Sequence, residues 1–563
     1  MHSSIPFFTR SISPRPGPAV RLKLPRVAWT LALIAVGLGP ALMVAEGDTP
    51  TANLTLHNAS GILGIGAGEK AHSKAGHDLL ALDREYQAYL QKPDAQARGP
   101  SGFRSRNFMA PISAGYVSID TVAAGDPEAL AADLGALGLE GGAVFGRTVS
   151  GRLLISAIPA LEALDSLKFA RQAYAMPHAG VVTSQGDAVI RADIARSTLG
   201  VDGTGVTVGV LSNTFNCLGG ASLGVASGDL PAVAVLEEGP CGGQGLLSVL
   251  PDEGRALAEI VHDVAPGAAI AFHTADNGQA SFAQGIVALA DAGAQVITDD
   301  IIYFGEPMFQ DGIVAQAVDQ VKARGISYFS AAQNDGRKSY ESSFRSSGLF
   351  VDLGAGPEEF HDFDPGPGID VCQRITLPVA QRLAVVFQWD QPFFSVSGPP
   401  GSQSDMDLQF TDAACTTILG SSLAFNVGND PFEFISFQND GPATTFGLRI
   451  LKFTGPAPGL MKTVLLDLSR LAQIAINEFD TQSPTSYGHL NALGGLGIGA
   501  ARYERTPAFG THPAGTGDRG LFLGGRGAYL IRHLRKPPVG TADPSATRPR
   551  GTEWRQHHIY YQH

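Results

Sequence analysis

Four positions hold residues whose type and setting could do chemistry. Glu253 opens an amphipathic run from Asp252 to Ala268, and Asp300 follows the apolar run Val296-Ile297-Thr298 and its neighbour Asp299. Two carboxyl groups brought together share a proton, so that one serves as base and the other as acid. Asn334 lies in Ser330-Ala331-Ala332-Gln333-Asn334-Asp335-Gly336, where a side-chain amide can donate to a developing oxyanion. Asn213 ends the run Val206 to Ser212; it is isosteric with aspartate but neutral, so it holds a hydrogen bond without stabilising a positive charge. Each has a plain reading as well: adjacent acids as a solvated turn or helix cap, and Asn-Asp-Gly as turn chemistry. His489, in Ser-Tyr-Gly-His-Leu-Asn, reads first as a satisfied core or surface histidine.

Local elements must position these groups. Ala256, Leu257, Ile260, Val261 and Val264 recur at helical spacing opposite Arg255, Glu259 and Asp263, which predicts an amphipathic helix. Asp252 is its expected N-cap, which places Glu253 in the first turn, where the helix dipole favours the ionised carboxylate. Pro266-Gly267 stops the helix. Strands are expected at 206–211, 232–236, 269–273, 294–298 and 326–330, with helices over 281–292 and 312–324 between the later ones. That alternation predicts a doubly wound parallel α/β sheet, whose ligands bind at the carboxyl ends of its strands. Asn213, Asp300 and Asn334 all fall at such ends.

The chain has 563 residues, 44% hydrophobic and 17% charged, enough to bury two or three cores. Its net charge of -13 argues against nucleic acid or an acidic membrane surface as partner. Residues 1–45 place Arg21, Lys23 and Arg26 before an apolar run, as a signal peptide does or, alternatively, a membrane anchor; the body is expected to be exported, extracellular or periplasmic. Four cysteines fit that compartment. Pairing of neighbours, Cys217 with Cys241 and Cys372 with Cys415, is the simplest of three connectivities.

Around the 187–345 core other segments differ in pattern. Residues 46–113 read as a polar spacer with one helix near 78–91. Residues 114–180 alternate as β-α-β-β-α-β, a ferredoxin-like module with strands at 116–122, 142–147, 152–158 and 168–174 and helices at 127–137 and 159–167. Short alternating runs at 373–378, 382–389, 406–411, 422–427, 432–437 and 444–453 predict a β-sandwich across 346–470. Asp405, Asp407, Asn429 and Asp430 could supply oxygen ligands to calcium, although turn acids are the plainer account; no other cofactor is expected. Residues 471–505 read as a return to the core and 506–563 as an irregular basic tail.

The helix ending Ala265-Pro266-Gly267-Ala268 and feeding a parallel strand resembles the subtilase superfamily, the subtilisin and sedolisin serine peptidases. Counting back from that ending, Glu253 stands where subtilisins carry the catalytic His and sedolisins the catalytic Glu. Asn213 stands where the orienting Asp would be. Ala-Ala-Gln-Asn resembles the Ala-Ala-Gly-Asn segment whose Asn donates to the oxyanion, with Gln333 in place of the glycine. The family's second helical acid is Leu257 here. The resemblance implies a pro-domain at 114–180, polypeptide substrates, and acyl transfer to a serine with Glu253 as base and Asn334 as oxyanion donor. The Gly-Thr-Ser nucleophile segment is missing; after about Phe509 the composition changes abruptly, as a slipped reading frame would produce. The chain is therefore expected to be a peptidase homologue inactive as encoded. The rival expectation is a non-catalytic binding or adhesion protein working through the β-sandwich. A metal hydrolase has no His-Glu-x-x-His or paired-His spacing to support it.

Overall fold

The computed structural model describes residues 73–92, 98–177, 185–246, 251–469 and 473–500, with Ala95 and Ala508. The expected signal peptide and most of the basic tail lie outside the described residues. Six parallel strands form the central sheet in the order Val233–Glu237, Ala269–Thr274, Thr207–Ser212, Val296–Asp299, Ser327–Ala331 and Gly495–Ile498. In chain order this is 2-3-1-4-5-6: strands two and three lie on one side of strand one, with strand two at the edge, and strands four to six are added outward on the other side. The gap between strands one and four is the topological switch point, where a doubly wound sheet opens a crevice.

Both faces carry helices because the strand residues alternate. Leu211, Ala271, Ile297 and Tyr328 pack with helices Gln279–Asp291 and Ile313–Ala323 on one face. Val208, Val210, Ile270 and Phe272 pack with Ala258, Leu257 and Val261 of helix Glu253–Val264 on the other. This helix turns further than its sequence pattern predicts: Ala256 is exposed, whereas Gly254 is buried. A side chain at Gly254 would collide with the Phe272 ring, so glycine lets the helix lie directly on the strand.

The N-terminal region has a five-stranded antiparallel sheet whose main strands lie in the order 140–145, 148–154, 116–123 and 167–172. The second and third strands end earlier than expected because Gly146, at φ +58°, turns the chain between them. The helix expected over 159–167 is a 3-10 helix at Ile155–Ala163 containing Pro159, which lacks the amide an α-helix needs there. The expected spacer is packed rather than loose: helix His77–Leu90 and Phe103, Ala110 and Ile112 share the core of this region. Asp120 reaches across to the α/β core, accepting from the backbone N (3.0 Å) and Nε2 (2.9 Å) of Gln279 and so capping that helix in place of a local residue.

From Ser339 to Ile476 two antiparallel sheets, of four and seven strands, close on one hydrophobic core around Trp389, Phe387, Phe410 and Leu448. The strand expected over 422–427 lies instead at Ile418–Ser422, where alternation continues back into the preceding turn. Strands Ser339–Ser342, Ser346–Asp352, Pro357–His361 and Met461–Asp467 also lie outside the expected set. The disulfides join Cys217 to Cys241 and Cys372 to Cys415. Among the described residues no helix is long and apolar enough to cross a membrane.

Candidate functional site

The strand Thr207–Ser212 delivers Asn213 to the carboxyl edge of the sheet with its side chain fully buried. Its Oδ1 accepts from the backbone amides of Glu253 (3.1 Å) and Gly254 (3.4 Å). Asn213 is thus the side chain that caps the helix. Asp252, the expected cap, occupies the N-cap position at φ +62° with no capping hydrogen bond. That left-handed backbone turns its buried carboxylate away from the helix amides, and it accepts from the amides of Cys217 (2.6 Å) and Leu218 (2.9 Å) and pairs with Arg255 (2.6 Å). Asp252 therefore fastens the disulfide loop, and Asn213 ties strand one to the first turn bearing Glu253. Replacing Asn213 by alanine is expected to cost about 1 kcal/mol, as loss of a helix cap does; chemical denaturation of the variant checks it, and an unchanged midpoint would refute the assignment.

Glu253 and Asp300 are both buried and lie in side-chain hydrogen-bonding contact. Burial first, then the Glu253 carboxylate, holds Asp300 well above the ordinary carboxylate range, with Asp299 adding to the effect and the Ser212 hydroxyl opposing it. The two carboxyls are placed to share a proton, with Asp300 the member pushed toward its acid form. Ser212 is fully buried within its strand, so this hydroxyl orients the pair and is not placed to attack a substrate.

The neighbouring acid does something different. Successive side chains on a strand point to opposite faces, so Asp299 faces away from Asp300. Its Oδ1 accepts from Ser330 Oγ (2.9 Å) and contacts His489 Nε2 (3.2 Å), while His489 Nδ1 meets Glu306 Oε1 (2.8 Å). Burial alone would lower the imidazole pKa; Glu306 and Asp299 outweigh it and raise it to about 10. His489 is a buried imidazolium between two carboxylates. The order Ser330, His489, Glu306 imitates a hydroxyl–imidazole–carboxylate relay, but a protonated ring cannot accept a proton and Ser330 is 1% exposed. Glu306 carried no local sequence signal.

Strand Ser327–Ala331 lies beside the Asp299 strand, with Ser330 opposite Asp299, and runs into the Asn334 turn. Asn334 is half-buried, and its side chain has no hydrogen-bond partner among the described residues. Gln333 takes the glycine position of the segment at φ +68°. Holding a non-glycine residue there costs on the order of 1 kcal/mol. It is also 7% exposed, with neither Oε1 nor Nε2 partnered. Just beyond Asp300, the segment Ile301–Tyr303 pairs antiparallel with Ala175–Pro177, the end of the N-terminal region, Ile302 opposite Met176. An extended segment of the N-terminal region thus already pairs with the chain that follows Asp300.

Among the described residues there is no group of three or more His, Cys, Asp or Glu that could hold a metal ion. Asp430 is engaged with Arg171 (3.0 Å) and the amide of Ser395 (2.9 Å), and Asp405 accepts from Asn426 (3.2 Å).

Strand order and site together define a doubly wound α/β protein with a carboxyl pair at its switch point. No family model matches the chain, and no curated protein matches it. Three solved structures that it is similar to are proteases. The Clostridium perfringens CspB protease is 13% identical with a TM-score of 0.31, over 57% of this chain and 75% of that one. The epidermin leader peptide processing serine protease EpiP from Staphylococcus aureus is 11% identical with a TM-score of 0.23, over 39% and 61%. MycP1, a serine protease of the type VII (ESX-1) secretion system, is 19% identical with a TM-score of 0.18, over 30% and 53%. The chain thus spans less than two thirds of the latter two.

Proposed function

We propose that this chain is an exported peptidase homologue of the subtilase type whose crevice binds polypeptide in extended form but lacks a usable nucleophile. One observation carries the reading: the acid–base pair Glu253 and Asp300 sits at the switch point directly before Ile301–Tyr303, a buried strand that pairs antiparallel with an extended segment of the N-terminal region. In an acyl transfer Glu253 would take a hydroxyl proton, Asp300 would hold the shared proton, and Asn334 would donate to the oxyanion. Asn213 would fix the helix rather than orient an imidazole. The N-terminal region would act as a pro-domain, since its last strand lies where a substrate strand would. The two disulfides suit an oxidising compartment. With the contacting hydroxyl, Ser212, sealed in the sheet, binding and oxyanion stabilisation remain but the nucleophilic step does not. A rival reading, ligand binding through the two-sheet region, draws on a cavity of about 300 Å³ where Phe169, Arg171 and Gln172 face Phe425 and Phe434.

The full-length chain is expected to release no more fluorescence from labelled casein than its Glu253→Ala variant, with or without a serine-directed phosphonate. Hydrolysis blocked by the phosphonate and abolished by Glu253→Ala would overturn the loss of activity.

A further inference from the structure

We infer that Gln333 is a specificity-determining residue of the crevice, recognising a side-chain amide on the bound peptide. The inference rests on the peptide-binding reading above and names what that crevice selects.

The turn carrying Gln333 is pinned on several sides. Ala332 N donates to Ile498 O (2.9 Å), Ser486 Oγ to Ala332 O (3.1 Å), Thr485 Oγ1 to Gly336 O (2.7 Å) and Asp467 N to Asp335 Oδ1 (2.8 Å). So many ties impose the left-handed backbone at Gln333, which glycine would adopt without steric cost. A glutamine kept for packing alone would also be expected to satisfy its amide, since a buried unpaired donor and acceptor are each unfavourable. Here both are unpaired in a residue more than nine-tenths buried. Strain and an unmet hydrogen-bonding demand thus coincide on one residue at the carboxyl end of a central strand, where doubly wound sheets bind ligands.

The direction of the paired segment says which part of a peptide would meet it. From Ala175 to Pro177 the chain passes from Tyr303 to Ile301, toward Asp300. The strand beside Asp300 is the one that ends in the Gln333 turn. A peptide laid down in this direction runs toward Asp300, beside the strand that leads into that turn.

Chemistry selects the group. The glutamine amide offers one acceptor and one donor edge at fixed spacing and no charge. A primary amide on the ligand meets both at once. A carboxylate would satisfy Nε2 but set an oxygen against Oε1, and an apolar side chain would leave both atoms dry. Sites that hydrogen-bond a ligand group discriminate strongly against analogues lacking it.

The test uses the full chain carrying Met176→Pro, which removes an amide from the resident strand and frees the crevice edge. Fluorescence anisotropy measures its affinity for extended hexapeptides that differ only in carrying Gln, Leu or Glu at the fourth residue. The Gln peptide is expected to bind at least tenfold more tightly than the other two. With Gln333→Gly the preference should fall to within twofold while the melting temperature rises, because the backbone strain is gone. Gln333→Asn, which tolerates the left-handed region and keeps an amide, should retain part of the preference. Binding without discrimination, or a preference that survives Gln333→Gly, overturns this inference and leaves the peptide-binding crevice standing. Failure of every peptide to bind overturns both.

Discussion

Replacing His489 by alanine is expected to lower stability by about 3–5 kcal/mol, the loss that follows when one member of a buried ion network is removed. Asp299 and Glu306, 3% and 1% exposed, would be left facing each other without their cation. Adding Glu306→Gln to the alanine variant should recover part of the loss, because one stranded charge disappears. The same group makes a pH prediction. Its folded pKa of about 10 lies above the unfolded value of 6.5, so the native state holds a proton that the unfolded chain releases between the two. The stabilisation is complete below about pH 6.5 and fades as pH rises toward 10, at a slope of up to about 1.4 kcal/mol per unit. Tyr303, Tyr328 and Tyr487 do not blur this window, since burial holds their hydroxyls well above the usual tyrosine value. Urea unfolding at pH 6 and pH 9 should show a steeper loss of stability in the natural chain than in His489→Ala, which keeps only the contributions of raised carboxyls such as Asp276 and Asp300. Equal slopes, or a loss below about 1 kcal/mol, would mean that the ring is not held as an imidazolium.

That network also shows where sequence reasoning reaches its limit. His489 meets Glu306 across 183 residues and Asp299 across 190, and no periodicity spans such distances. The alternation of strand and helix from Val206 to Ser330 was legible because each element buries a face set by its own period, two for strands and 3.6 for helices. The same alternation placed Asn213, Asp300 and Asn334 at strand ends. It did not say which neighbour each would meet. Asp252 was assigned the helix cap because caps are usually local; the actual cap comes from Asn213, forty residues earlier, since the strand end and the helix start are fastened together. Asp299 and Asp300 read as a pair of acids in one place, although the pleat sends them to opposite faces and to opposite tasks. Gln333 reads as a departure from a glycine pattern, yet the turn keeps its left-handed backbone. Tertiary ties there override what the residue prefers.

Replacing Asp300 by asparagine is expected to stabilise the protein at pH 8 while removing the acid from the pair. Burial and the Glu253 carboxylate raise the folded pKa of Asp300 well above its model value of 3.8. Between the unfolded and folded values the native chain must carry a proton that the unfolded chain gives up, so stability falls as pH rises through that window and returns as pH drops. Asparagine keeps the shape and the hydrogen-bonding capacity but never ionises in either state. The variant should be more stable than the natural chain at pH 8, and the difference should close as pH falls toward 4. Chemical denaturation at the two pH values reads this directly. A variant less stable at both would mean that Asp300 is ionised and satisfied, and the shared proton would be gone from the picture. Gain of stability on removing a site residue is the signature of a place kept for function at the expense of the fold. Asp300 and Gln333 would then mark the two unfavourable points of one crevice, and the imidazolium on the reverse of the same strand is the interaction large enough to hold that edge in place.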